Sequence, residues 1–230
     1  MKHLIFLSLV ALLFVLPSCS HGQKINSTAK AYEHGVLLVK EYIKDKDLKG
    51  LDVATFAGGC FWCTEASFER IKGVEDVIRG YSGGEKKYPT YSEVSNKKTK
   101  HAEAIQIFYN PEIVSFETLL EVFFVAHDPT QLNRQGPDIG PQYRSEIFYH
   151  DESQKEKTLT YIEKLDKAEK FSKKIVTKVS AYSEFWVAEG YHQNYYELNP
   201  NQGYIAAVSR PKVEKVIKTF PDLIKEAYKM

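Results

Sequence analysis

The segment around Gly58-Gly59 constrains the fold of this chain more than any other part of the sequence. Leu51 to Ala57 is a largely apolar run that is typical of a buried strand, and the two glycines after it predict a tight turn. From Cys60 to Ile71 the apolar residues recur at helical spacing. The sequence therefore predicts a strand that leads directly into a helix, with Cys60 at the junction.

The remaining predicted elements mix strands and helices without regular strand–helix–strand repetition. Further strands are predicted at Val74–Tyr81, Ala102–Tyr109, Arg144–His150 and Ile175–Ala181. Helices are predicted from the N-cap Ser115 to Ala126, over 152–171, near 189–196 and after Pro211. Residues 85–101 are polar and predict a surface excursion, whereas 128–142 holds three prolines and two glycines and predicts an ordered or functional loop.

This pattern, without a GxGxxG or Walker-type loop, favours an α+β fold over a doubly wound sheet. We expect a two-layer α/β sandwich with a ferredoxin-like core, a mixed sheet and long irregular wrapping segments.

The first residues predict an export signal rather than part of the fold. Leu4 to Leu16 is an almost unbroken apolar run that is too short to span a bilayer as a helix, and Lys2 and His3 precede it. The run ends in Leu16-Pro17-Ser18-Cys19, which is similar to a bacterial lipobox except for Pro17. We expect a signal peptide over 1–18, a lipidated Cys19 and a tether over 19–50. A soluble secreted protein with an ordinary cleavage site is the alternative.

Within that tether, residues 31–46 predict one short amphipathic helix that need not fold with the rest. The folded domain is expected over residues 51–230.

Charge and cysteine content exclude several classes of protein. Lys and Arg number 31 against 30 Asp and Glu, which argues against nucleic acid as the main partner. Three cysteines are too few for a disulfide scaffold or for a closed four-cysteine zinc site. A monomer is the default expectation.

Cys60 and Cys63 are the candidates for chemistry. A cysteine that opens a helix lies near free amides and the positive end of the helix dipole, which predicts a lowered thiol pKa. Cys63 follows one turn later on the same face, where a disulfide could form. The pair leaves four interpretations open: inert buried cysteines, half of a zinc site, a thioredoxin-like disulfide oxidoreductase, or a reductase with one attacking and one resolving cysteine.

Several ordered motifs bear on this choice. They are Gly59-Cys60-Phe61-Trp62, Tyr88-Pro89-Thr90-Tyr91, His101-Ala102-Glu103-Ala104, His127-Asp128-Pro129-Thr130-Gln131, the run from Gly136 to Ser145, Ala188-Glu189-Gly190-Tyr191-His192-Gln193 and Pro211-Lys212. Together they resemble the peptide methionine sulfoxide reductase A family over about residues 51–220. The resemblance implies thiol-dependent reduction of methionine S-sulfoxide, free or in a protein, with no metal, flavin or nicotinamide.

Alternation along the strand from Ala102 places Glu103 among apolar side chains, which disfavours its anion and suits a general acid. The resemblance assigns Glu103 the protonation of the sulfoxide oxygen.

The resemblance also assigns roles to five other positions. It implies that Phe61 and Trp62 surround the substrate methyl group and that the hydroxyls of Tyr91 and Tyr143 bind the sulfoxide oxygen. Asp138 corresponds to a residue of the polar network in the active site.

One departure from the family pattern concerns the resolving cysteine. Many members carry it in the C-terminal tail near the position of Ile205, but this chain has no cysteine after Cys63. A recognised variant of the family has cysteine at the position of Cys63, so Cys63 is expected to resolve the oxidised Cys60. The resemblance further implies a thioredoxin-like dithiol donor. For an anchored protein whose catalytic domain lies outside the cytoplasm, in the periplasm, a membrane-linked or periplasmic thioredoxin-like relay must supply the electrons.

Overall fold

The computed structural model describes residues 36–229 of the chain. The predicted signal peptide and Cys19 lie outside the described residues. Within 36–229, no helix combines the length and the apolar character that a membrane crossing needs.

Seven strands form one mixed sheet. They are β1 (Leu37–Leu38), β2 (Asp52–Gly58), β3 (Val74–Ser82), β4 (Ala102–Tyr109), β7 (Ser145–Tyr149), β8 (Lys178–Ala181) and β9 (Phe185–Val187), and a separate hairpin pairs β5 (Arg134–Gln135) with β6 (Asp138–Ile139). The sheet order is β1-β9-β3-β4-β2-β7-β8, and of these neighbours only β7 and β8 run parallel.

Helices and short helical turns connect the strands. The α-helices are α1 (Val39–Tyr42), α2 (Phe61–Glu69), α3 (Tyr91–Ser95), α4 (Phe116–Ala126), α5 (Glu152–Lys167), α6 (Tyr195–Leu198) and α7 (Arg210–Thr219). Four 3₁₀ turns lie at Pro141–Tyr143, Gly190–His192, Pro221–Leu223 and Glu226–Tyr228, and a π-helical turn at Ile205–Ser209 leads into α7.

The predicted ferredoxin-like core is confirmed by the chain order β2-α2-β3-β4-α4-β7 and the spatial order β3-β4-β2-β7. Phe56 of β2 lies at the centre of the layer between sheet and helices. Its ring centroid is 5.7 Å from that of Phe68 on α2 and 4.9 Å from that of Phe123 on α4. Both helices are thus held against the same strand by aromatic packing.

The opposite face of the sheet is covered by residues that the sequence assigned to a tether. Val39, Tyr42, Ile43 and Leu48 pack on a second apolar cluster that includes Phe108, and β1 pairs with β9. Part of the predicted tether, from Val36 onward, therefore belongs to the folded domain. Of the alternate residues of β4 on this side, Ala102, Ala104 and Phe108 are apolar, and burying them requires a cover. The fourth, Gln106, is polar and donates a hydrogen bond to the Thr55 hydroxyl.

The observed boundaries of helices and strands agree closely with the predicted ones in the core and less closely outside it. The strand Ala102–Tyr109 and the helix Phe116–Ala126, capped by Ser115, are confirmed. The helix predicted to residue 171 ends at Lys167. The short helix α3, in the predicted surface excursion, and strand β9 were not predicted.

The turn between β2 and α2 depends on Gly59. Its φ is +92°, and a Cβ built there would lie 2.5 Å from Cγ of Gln135. Gln135 in turn bonds through its side-chain amide to both backbone groups of Asp128. The glycine therefore lets helix α2 start directly against the loop 128–142.

We expect Gly59→Ala to lower the free energy of unfolding by about 2–4 kcal/mol, because strain at positive φ adds to a steric clash. Gly136→Ala is the matched control, since its φ is +61° but nothing lies within 4 Å of a Cβ there. It should cost about 1–2 kcal/mol. Urea denaturation of both variants measures the difference, and equal losses would contradict the role of the Gln135 contact.

Candidate active site

Cys60 lies where β2 ends, as the N-cap residue of α2. Its carbonyl oxygen accepts hydrogen bonds from the amides of Cys63 at 3.1 Å and Thr64 at 3.4 Å. The Cys60 and Cys63 side chains are free thiols that hydrogen-bond to each other. Cys60 is 5% and Cys63 2% exposed, so the pair is adjacent, reduced and shielded from water.

Glu103 projects from β4 toward the start of the same helix. It is buried beside Tyr81, its partner in the β3–β4 ladder. Its Oε2 accepts a hydrogen bond from the amide of Phe61 at 3.1 Å. Burial raises the pKa of Glu103 to about 8, although the Phe61 hydrogen bond acts in the opposite direction. The carboxyl is therefore protonated at neutral pH and can donate a proton.

The two thiols differ in acidity, and not as the sequence predicted. Burial raises the pKa of Cys60 well above its usual value, and contact with Cys63 and the charge of Glu103 add to the effect. The prediction of a lowered Cys60 pKa is wrong because the first free amide of the helix, that of Phe61, is used by Glu103, and desolvation outweighs the dipole.

Cys63 is the more acidic thiol of the pair. The hydrogen bond from Cys60 lowers its pKa to about 7 against the opposing effect of burial. Lys212 and Ser209 lower it further, and the Cys63 Sγ lies 3.1 Å from the Ser209 hydroxyl. At neutral pH the thiolate is thus most accessible at Cys63.

Asp138 joins this group from the β5–β6 hairpin. Its Oδ2 accepts a hydrogen bond from the Tyr204 hydroxyl at 2.5 Å, and its charge raises the pKa of Glu103. Tyr204 also bonds to Cys60, which favours the Cys60 thiolate. The Tyr204 hydroxyl therefore bridges the carboxylate and the buried thiol.

Tyr91 and Tyr143 lie on the same side of the site, from α3 and from the turn before β7. Burial raises the pKa of both phenols, and the charges of Glu103 and Cys60 contribute in each case. Their hydroxyls are therefore fully protonated donors. Tyr91 is held by its amide, which donates to Glu189 at 2.8 Å.

Phe61 and Trp62 are placed differently. Phe61 is buried against Tyr81 at 5.9 Å between ring centroids, whereas Trp62 is half-buried. The Trp62 indole stacks on Tyr195 at 4.1 Å and donates to Nδ1 of His192 at 3.3 Å. These contacts fix the indole in the first turn of α2, two residues after Cys60 in the chain.

The structure therefore brings together the six predicted residues Cys60, Cys63, Tyr91, Glu103, Asp138 and Tyr143 through mutual hydrogen bonds and charge effects, with Phe61 and Trp62 beside them.

Sequence reasoning missed several residues of this site. They are His192 and Tyr195 against Trp62, Tyr204 against Cys60, and Ser209 and Lys212 near Cys63. His192 and Lys212 belong to the motifs identified above, which was a usable signal. Tyr204 is one of 15 tyrosines, and no sequence signal distinguished it from the others.

The zinc interpretation of the cysteine pair finds no further ligands. Among residues 36–229, no group of three or more histidine, cysteine or acidic side chains is arranged to hold a metal ion. Two histidines near the site have other partners. His127 is buried and hydrogen-bonds to the Ser145 hydroxyl, and His192 is buried and accepts a hydrogen bond from the Trp62 indole. The arrangement is suited to thiol chemistry with a neutral carboxyl as proton donor.

Comparison with known proteins agrees with this geometry. The profile of the family described as peptide methionine sulfoxide reductase matches residues 52–223. A peptide methionine sulfoxide reductase MsrA 1 of Rhodopirellula baltica is 54% identical over 80% of this chain and 95% of its own length. The corresponding MsrA of Natronomonas pharaonis is 50% identical over 74% of this chain and 96% of its own.

Two solved structures share the fold. Reduced Mxr1 from Saccharomyces cerevisiae is 37% identical, with a TM-score of 0.62 over 69% of this chain and 90% of that one. Methionine sulfoxide reductase A of Corynebacterium diphtheriae is 33% identical, with a TM-score of 0.58 over 66% of this chain and 76% of that one. The sequence match over most of the chain, together with the buried cysteine pair and carboxyl, shows that this protein belongs to the peptide methionine sulfoxide reductase family of oxidoreductases.

Proposed function

We propose that this chain reduces methionine S-sulfoxide by a cycle confined to Cys60, Cys63 and Glu103. The observation that carries the proposal is the protonated carboxyl of Glu103, held against the first amide of the helix that Cys60 opens. Reduction of methionine sulfoxide follows from family membership. The roles of individual residues and the S-epimer preference are inferred.

The first step transfers oxygen from the substrate to Cys60. Its sulfur attacks the sulfoxide sulfur while Glu103 donates a proton to the sulfoxide oxygen. Glu103 then takes up the thiol proton, so the high pKa of Cys60 is no obstacle once the substrate is bound. The protonated oxygen then moves from the methionine sulfur to the Cys60 sulfur as the transient bond between the two sulfurs breaks, so methionine leaves and Cys60 becomes a sulfenic acid. Tyr91 and Tyr143 donate hydrogen bonds to the same oxygen, and Trp62 contacts the methyl group.

The second step joins the two cysteines. The Cys63 thiolate attacks the Cys60 sulfenic sulfur, hydroxide leaves with a proton as water, and a Cys60–Cys63 disulfide forms. The adjacency of the thiols at positions i and i+3 of one helix turn supports this assignment. A thioredoxin-like dithiol then reduces the disulfide by exchange.

Two other activities fit parts of the sequence. A general disulfide oxidoreductase would exchange scrambled protein disulfides, and a binding lipoprotein would act on neither substrate. Incubation with a methionine sulfoxide peptide and dithiothreitol, resolved by epimer, distinguishes all three. Consumption of the S form alone supports the proposal, and reduction of the R form at an equal rate contradicts the epimer preference.

The same proposal places the enzyme in the cell envelope. The apolar run 4–16 and the Leu16-Pro17-Ser18-Cys19 segment support export and lipidation, with the folded domain outside the cytoplasm. Substrates are then oxidised proteins or free methionine sulfoxide of that compartment, and the enzyme is proposed to act as a monomer.

Cys63→Ser should release one equivalent of methionine and then stop when thioredoxin is the reductant, because no disulfide can form for exchange. Dithiothreitol should restore turnover by reducing the sulfenic acid directly. Methionine release per enzyme measures both. The control is Cys60→Ser, which should release none. Normal thioredoxin-driven turnover by Cys63→Ser would remove the resolving role.

Glu103→Gln should slow single-turnover reduction by about 10²–10⁴-fold, since the amide keeps the shape but donates no acidic proton. In the unmodified enzyme, the rate should be constant at lower pH and fall as pH rises through about 8, where Glu103 ionises. Rapid-quench assays across this range measure the profile. The variant should lack the fall, and a variant rate equal to that of the unmodified enzyme would contradict the acid role.

Cells grown with radioactive palmitate should label the full chain, and Cys19→Ala should take up no label. Labelling is followed by immunoprecipitation and autoradiography. Cys63→Ser serves as a matched cysteine control that retains the label. Equal labelling of Cys19→Ala would contradict lipidation at this residue.

A further inference from the structure

Lys212 presents an unexplained buried charge. Its Nζ is shielded from solvent and has no hydrogen-bond partner in the described part of the chain. A buried ammonium without a partner is costly, so such a group normally has an anion nearby. The lysine belongs to the first turn of α7, directly after Pro211.

The position of α7 brings this charge toward the resolving cysteine. Helix α7 and the π-helical turn before it both pack against α2, which carries Cys63. Ser209, one helical turn before Lys212, lies 3.1 Å from the Cys63 sulfur through its hydroxyl oxygen. Lys212 therefore lies on the segment that already contacts the thiol.

From this placement we propose that Lys212 is a positioning residue that holds Cys63 as a thiolate for the resolving step. The inference rests on the proposed function, in which Cys63 attacks the Cys60 sulfenic acid. When Cys63 is ionised, the thiolate supplies the anion that the buried ammonium lacks.

The other charged groups around Cys63 are acidic or already paired. Asp138 raises the pKa of Cys63, and Glu103 is a further acidic group nearby. Arg79 is buried and its charge interacts with that of Cys63, but it forms an ion pair with Glu65 on α2, which offsets its charge. Cys60 forms a hydrogen bond with Cys63, and Tyr204 can carry only a negative charge, so neither residue supplies a positive charge.

His127 and Asp128 line one cavity with Lys212. Burial lowers the pKa of His127 to about 4, so it is neutral, and the Asp128 carboxylate accepts hydrogen bonds from Thr130 and Gln131. Among residues 36–229 the Lys212 ammonium therefore has no hydrogen-bond partner of its own. Its effect on the pKa of Cys63 has the expected sign and lowers it.

The consequence concerns the second step alone. Cys63–S⁻ forms a bond to the Cys60 sulfur, the Cys60 S–O bond breaks, and the leaving hydroxide takes a proton to become water. Cys60 is reduced from sulfenic acid to disulfide as Cys63 is oxidised. Oxygen transfer from the substrate precedes this step and does not require a Cys63 thiolate.

The test measures the two steps separately in Lys212→Met, Lys212→Arg and the exposed control Lys215→Met. Methionine release in a single turnover reports the first step. Mass spectrometry of quenched samples reports disulfide formation between pH 5 and 9, a range that includes the ordinary thiol pKa of about 8.5. Lys212→Met keeps an unbranched side chain as far as Cε but removes the charged amino group.

We expect the midpoint for disulfide formation in Lys212→Met to move up by about one pH unit, with a rate about tenfold lower below the midpoint. Methionine release should persist, which also shows that the variant is folded. Lys212→Arg should restore most of the rate, and Lys215→Met should match the unmodified enzyme.

An unshifted pH profile in Lys212→Met would overturn the inference, as would equal losses in Lys212→Met and Lys212→Arg. Failure of the underlying function looks different: Cys63→Ser would then recycle normally with thioredoxin. A defective Cys63→Ser together with an unshifted Lys212→Met would leave the resolving role intact and reject only the role of the lysine.

Discussion

The hydrogen bond between the Phe61 amide and the Glu103 carboxyl organises the active site. It connects the central strand β4 to the first turn of α2, and both cysteines lie in that turn. Without a partner, a buried carboxyl and a free helix amide would each carry a desolvation cost. Their pairing satisfies both and fixes the Glu103 carboxyl, the proposed proton donor, at the start of the helix that Cys60 opens.

Burial decides the electrostatics of this site. The same desolvation that keeps Glu103 protonated also raises the pKa of Cys60, so Cys60 is a thiol next to a protonated carboxyl. Cys63 is different because its neighbours offset its burial. The acidities therefore match the proposed order of events, in which proton transfer accompanies the first attack and a thiolate is available for the second.

Local sequence patterns predicted the core because local physics determines it. The alternation in Ala102–Tyr109 and the capped helix Phe116–Ala126 reflect side-chain burial and capping, and both were predicted correctly. The direction of the Cys60 pKa shift was not predicted correctly. The helix amide of Phe61 bonds to Glu103, and this is a tertiary contact between residues 42 positions apart.

Long-range contacts also account for what was missed at Tyr204 and Lys212, and for the residues from Val36 that cover the sheet. Their roles depend on where the C-terminal and N-terminal segments return to the core, which a periodic pattern does not encode. Only the family resemblance indicated that Glu103, Asp138 and Tyr143 belong to one site, because they lie in separate motifs.

The protonation state of Glu103 is the most direct measure of this account. Infrared difference spectra between the unmodified enzyme and Glu103→Gln isolate the carbonyl band of this one protonated carboxyl from that of other acids. The account predicts a band present at pH 7 that is lost as pH rises through about 8. A band lost near the ordinary glutamate pKa of about 4.3 would show an ionised Glu103 at neutral pH and contradict its role as the proton donor.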